Sequence, residues 1–209
     1  GKTMNMIVSK SSRTGKIRAD IVPAKGDESQ YSIDTMADHI QSMGHAKFLH
    51  KSDQEGALKN VMQTALGQLG SRFESVPEES PIGAHQSNGP IENAVQQAAG
   101  IIRVQRSSLE QSQGIVVAHD SPLVPWLVAW SVLGCNVSAK DINGKTPYEK
   151  TKGKAWRRQL MKFGERCYWL PVGPSKAQRD TQKMNKLADK WKEGHFLGIR
   201  EVSGEALIG

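Results

Sequence analysis

Apolar positions along the chain follow two periods in turn, and the alternation between them lays out the elements. Met4 to Ser9 and Lys16 to Val22 are apolar-rich runs joined by Lys10-Ser11-Ser12-Arg13-Thr14-Gly15, which predicts a β-hairpin with glycine at the turn. Pro23 through Gly26 closes the second strand. From about Gln30 to Met43 the period lengthens: Ile33, Met36, Ala37, Ile40 and Met43 recur at helical spacing, and Gly44 is placed as a C-cap. Ala46 to His50 predicts a short buried strand. A helix over about Gln54 to Leu69 follows, with Leu58, Val61, Met62, Ala65 and Leu69 on one face.

Phe73 to Val76 predicts another strand, and Pro77 through Asn88 a polar loop. A long helix opens at Pro90, where the missing N–H costs nothing, and its stripe reads Ile91, Val95, Ala98, Ile102. A second apolar helix runs from about Pro122 to Leu133, with Trp126 and Trp130 read as a core pair. Asp141 to Gly144 is a turn leading into a short helix from Thr146 to about Lys152. Strands are expected at Arg166–Leu170, Phe196–Val202 and Glu205–Ile208, with a Lys-rich stretch between the first two. Hairpin, then helices alternating with strands, predicts an α/β layer structure with a mixed sheet.

The chain has 209 residues, 37% hydrophobic and 23% charged, enough for one core with a small satellite. The longest apolar run, Leu123 to Cys135, falls short of the ~20 residues of a membrane span and holds Pro125 and two Trp. No secretion signal opens the sequence, so an intracellular protein is expected, in the nucleus or a cytoplasmic particle. Cys135 and Cys167 match no zinc or redox spacing and are expected to be reduced packing residues. Charge is uneven: residues 1–138 sum to −1 and residues 139–209 to +8. A basic stretch of this kind attracts polyanions. There Tyr148, Trp156, Phe163, Tyr168 and Trp169 interleave with Lys and Arg, which suits either a nucleic-acid surface or the core of a small β domain.

The candidate chemistry lies in two carboxylates. Asp53 follows the short strand in Lys51-Ser52-Asp53-Gln54-Glu55, and Glu92 stands in the first helical turn after Gln86-Ser87-Asn88-Gly89. Either acid has an ordinary alternative role, Asp53 as a helix N-cap and Glu92 as a charge favoured by the helix dipole. Two acids on a strand end and a helix start are also what hard divalent cations need, since Mg²⁺ and Mn²⁺ take oxygen ligands. No Gly-x-Ser-x-Gly and no Gly-rich phosphate loop competes.

At these residues the chain resembles the integrase catalytic core of retroviruses and copia-type LTR retrotransposons. The likeness rests on S-D-Q-E after a strand, 38 residues between Asp53 and Glu92, and Q-S-N-G-x-x-E. Three further segments are similar: Thr14-Gly15-Lys16-Ile17-Arg18-Ala19, Gly144-Lys145-Thr146-Pro147-Tyr148-Glu149 and Trp191-Lys192-Glu193-Gly194-His195-Phe196-Leu197-Gly198. The resemblance implies a ribonuclease H-like core over residues 1–138, then a basic linker and a small β-barrel-like region over 139–209. It implies DNA integration, with Asp53 and Glu92 holding two Mg²⁺ or Mn²⁺ ions in the complete site. Lys51, Ser87, Asn88, Arg103, Arg106, Arg157 and Arg158 would contact DNA, both element ends and target, in homo-multimers away from any membrane. The family's D,D,E site has a further Asp on its opening strand, and this chain has no acid before Asp20. The expectation is a chain that starts inside the fold and by itself binds metal weakly. The competing expectation is a non-catalytic nucleic-acid-binding relic of a retroelement.

Overall fold

The computed structural model describes residues 4–24, 26–52, 55–78, 89–170 and 191–209. Two compact units divide the chain, Gly1–Gln159 and Leu160–Gly209. The first begins with strands β1 (Asn5–Lys10) and β2 (Ile17–Val22), paired antiparallel in the register Asn5↔Val22 to Lys10↔Ile17. Gly15 closes their turn at φ +75°, a backbone angle other residues seldom adopt. Helix α1 (Gln30–Met43) is capped by the Ser29 hydroxyl at one end and by Gly44 in the left-handed region at the other. Strand β3 (Lys47–His50), helix α2 (Gly56–Leu69), a single 3-10 turn (Gly70–Arg72) and strand β4 (Glu74–Pro77) follow, with β4 parallel to β3. Helices α3 (Gly89–Gln113), α4 (Leu123–Ser138) and α5 (Pro147–Lys152) complete the unit.

Side-chain alternation along the hairpin sends its two faces to different helices. Ile7 and Val22 join Ile33, Met36, Ala37 and Ile40 of α1 and Val61, Ala65 and Leu69 of α2 in one core. Ile17 and Ala19 face the other way and join Ala94 and Ala98 of α3 and Val128 and Val132 of α4. The hairpin is thus a wall between two helical layers. Phe48 and Phe73 carry β3 and the approach to β4 onto the first core.

The sheet is a mixed α/β arrangement in two pieces. Among the described residues β1–β2 and β3–β4 are separate two-stranded sheets. The opposite face of β3–β4 is uncovered, with cross-strand neighbours Leu49 and Val76 68% and 59% exposed. This corrects the expectation of a buried strand at 46–50: the run is apolar on both faces, but a helical layer covers one.

The second unit holds β5 (Arg166–Trp169), β6 (Lys192–Ile199) and β7 (Ala206–Ile208) in an open antiparallel sheet ordered β5-β6-β7. Among the described residues it does not close into a barrel. The stretch 171–190 lies outside them. Cys135 and Cys167 are both free thiols, and burial pushes each up in pKa. No described helix is long and apolar enough to cross a membrane.

Candidate functional site

Glu92 stands in the first turn of α3 with its side chain in solvent. Two small residues set that helix: Ala94 and Ala98 are buried against Ile17 and Ala19, and Ile91 and Ile102 pack beside them. The stripe therefore runs through Ala94, not Val95, which is exposed. Small side chains let the helix approach the strands closely; the larger Val95 points out. Gln96 and Arg103 share the exposed side with Glu92. Lys10, at the end of β1, reaches the carbonyl of Pro90 at 3.5 Å, which brings a cation to the turn that carries Glu92. A carboxylate there also meets the partial positive charge of the helix start.

Asp53, Ser87 and Asn88 lie outside the described residues, as do Gln54 and His85. β3 leads toward Asp53: it ends at His50, and Lys51 is exposed just beyond. The His50 ring bonds Ser75 Oγ across the parallel pair, and partial burial pushes its pKa down. Ser11 Oγ meets His45 Nε2 at 3.1 Å, which fixes the end of β1 beside the approach to β3.

The other basic candidates differ in what they touch. Arg103 is exposed, whereas Arg106 Nε holds Glu110 at 3.0 Å. Glu110 also accepts the Val117 N–H at 2.9 Å, so Arg106 helps lock the chain reversal after α3. That backbone bond, with the Arg106 contact, keeps the Glu110 carboxyl below its usual range. Arg157 and Arg158 are exposed after α5. Between them and that helix, Trp156 packs edge-on to buried Tyr148, centroids 5.1 Å apart. Phe163 is buried too, while Tyr168 is 64% exposed. The aromatics at 148, 156 and 163 are thus packing residues. Trp130 is core, but Trp126 is 42% exposed, which corrects the expected pair.

One polar constellation escaped the sequence reading. On the α1 face of the hairpin, His39 Nδ1 lies 2.9 Å from Ser9 Oγ and Nε2 lies 2.8 Å from Asp20 Oδ2, which also accepts Arg18 Nη2 at 3.0 Å. The available signal was His39 at helical spacing from Met36, facing a strand that alternates polar residues. Asp20 is committed to this network, on the face away from α3, so it is no partner for Glu92. Among the described residues no three His, Cys, Asp or Glu side chains converge as a metal site.

No family model matches this chain, and no curated protein matches it. It is similar to a solved structure, the catalytic core domain of BIV integrase, at 17% identity and a TM-score of 0.45, covering 72% of this chain and 86% of that one. The functional reading therefore stands on this chain's own residues.

Proposed function

We propose that this chain is the catalytic core of an integrase-type polynucleotidyl transferase from an LTR retroelement, with Asp53 and Glu92 as metal-binding acids. The observation that supports it is Glu92: an ionisable oxygen donor held in solvent on the first turn of a helix anchored by Ala94 and Ala98. Carboxylates are the donors Mg²⁺ and Mn²⁺ take, and such ions stabilise charge on the entering and leaving oxygens of phosphoryl transfer. In this reading Lys10 and Lys51 flank the two acids and attract phosphate. Arg103, about three turns along the same face of α3, extends the grip on DNA. Arg157 and Arg158 add to it, and the chain works as a multimer.

The reading requires a third acid. The outer edge of β1 and one edge of β3 lack strand partners among the described residues. A strand paired at such an edge could carry that acid. Asp20 does not substitute, being tied to His39 and Arg18. The second reading is a nucleic-acid-binding relic of a retroelement, folded but without chemistry.

Strand transfer with labelled DNA ends and Mn²⁺ tests the choice, comparing a complete core that contains the third acid with its Asp53→Asn and Glu92→Gln forms. Activity lost in both variants supports the transferase. DNA binding without transfer in all three proteins selects the relic.

A further inference from the structure

The hairpin is fastened to α1 by a buried relay with a defined proton arrangement. His39 is 1% exposed. Asp20 is a carboxylate, an acceptor only, and its Oδ2 already takes Arg18. His39 must therefore carry its proton on Nε2, leaving Nδ1 to accept from the Ser9 hydroxyl. One neutral tautomer satisfies every partner. The groups facing the ring are Ser9 from β1, Asp20 and Arg18 from β2, and Asp38 from its own helix. One turn on, the buried Lys16 ammonium holds the carbonyl of Ser42 at 2.7 Å, so a cation already stands on this interface.

We propose that Ser9, His39 and Asp20 form a proton-operated latch that holds the β1–β2 hairpin on α1 at neutral pH and loosens on acidification. A second proton would place an imidazolium in a buried layer beside Arg18, and would turn the Ser9 hydroxyl from donor to acceptor. Burial dominates the energetics: it pushes the His39 pKa down, against the pull of Asp20. An unfolded His titrates near ~6.5. The folded form therefore binds the proton later than the unfolded one, and the latch weakens as pH falls below that value. The hairpin also seats α3, so its release would unsettle both helical layers.

The test is unfolding of the intact chain between pH 8 and pH 5, beside His39→Gln, whose amide can keep a donor toward Asp20 without titrating. The expected result is an unfolding constant that rises by up to about tenfold per pH unit below ~6.5 in the unmodified protein and less steeply in the variant. Hydrogen exchange of the β1 and β2 amides should accelerate with it. Equal pH dependence in the two proteins would overturn the latch. If His39→Gln does not fold, ¹⁵N titration of the unmodified protein decides: a bare Nδ1 and a pKa beneath 6.5 uphold it, and titration at or above that value refutes it.

Discussion

Asn136, near the end of α4, holds Ile17 through both of its backbone polar groups. Its Oδ1 accepts the Ile17 N–H at 3.0 Å and its Nδ2 donates to the Ile17 carbonyl at 2.7 Å. Ile17 opens β2, and these two groups point away from β1, so a side-chain amide takes the place of a neighbouring strand. That contact blocks the start of the outer β2 edge, where bare N–H and C=O groups would invite another chain. Replacing Asn136 by Leu should leave both groups without a partner beneath a helix. The expected loss is about 2–4 kcal/mol, read from urea unfolding with an unchanged slope.

The turn after α4 should survive deep acidification. Asp141 accepts the Lys150 ammonium at 2.6 Å and the N–H groups of Lys145 and Asn143. The Lys150 contact above all holds its carboxyl down at about 2, against an ordinary 3.8. Its folded pKa is depressed, so the contribution of this carboxylate is present above 3.8 and fades only as pH drops toward 2. Carboxyl NMR shifts should show this titration, and Lys150→Met should move it upward. Next to it, Thr146 and Glu149 form a reciprocal capping box on α5. Thr146→Ala should cost about 1 kcal/mol.

Local periodicity carried much of this fold and missed what depends on neighbours. The hairpin and α1 were legible because Gly15 and Gly44 stop the elements where only left-handed backbone fits, both at φ +75°. Helical spacing alone runs the α3 stripe through Val95, yet close packing on β2 selects Ala94 and Ala98. α4 is apolar nearly all round, so pattern alone gives no face, and only the packing shows Trp126 on the outside. Leu49 shows the same limit in a strand: nothing local says which face lacks a covering layer. His39 broke the pattern differently, being a polar residue at a buried helical position whose partners come from β1 and β2. Of the candidate acids, the sequence placed Glu92 on a helix start, as found; Asp53 lies outside the described residues.

The seat of α3 offers a mechanical test of the candidate site. Ala98 is 2% exposed and packs with Ile17, Ala19 and Val128. Ala98→Leu would force added volume into that contact, at a cost of about 1–3 kcal/mol by thermal or urea unfolding. The helix should shift outward from the hairpin and carry Glu92 with it. Mn²⁺ affinity, measured by calorimetry, should fall although neither acid is altered. Ala99→Leu, at a half-buried position one residue on, should disturb stability less.

Glu92 separates function from folding more cleanly than any other residue here. Its side chain is exposed, and the helix that carries it is anchored by Ala94 and Ala98 rather than by the carboxylate. Glu92→Gln removes a charge from the first turn of α3, where the dipole favours one by about 0.3–1 kcal/mol. Stability should fall by no more than that. If Glu92 is a metal ligand, the loss of activity should be far larger, about 100-fold or more in strand transfer, because an amide is a poor stand-in for a carboxylate at a divalent ion. Lys10→Ala supplies the complementary arm: without its ammonium near the Pro90 carbonyl, DNA affinity should weaken and its salt dependence flatten by about one counterion, with metal binding intact. Full transfer activity in Glu92→Gln would take this residue out of the chemistry and leave the first turn of α3 with a structural charge only.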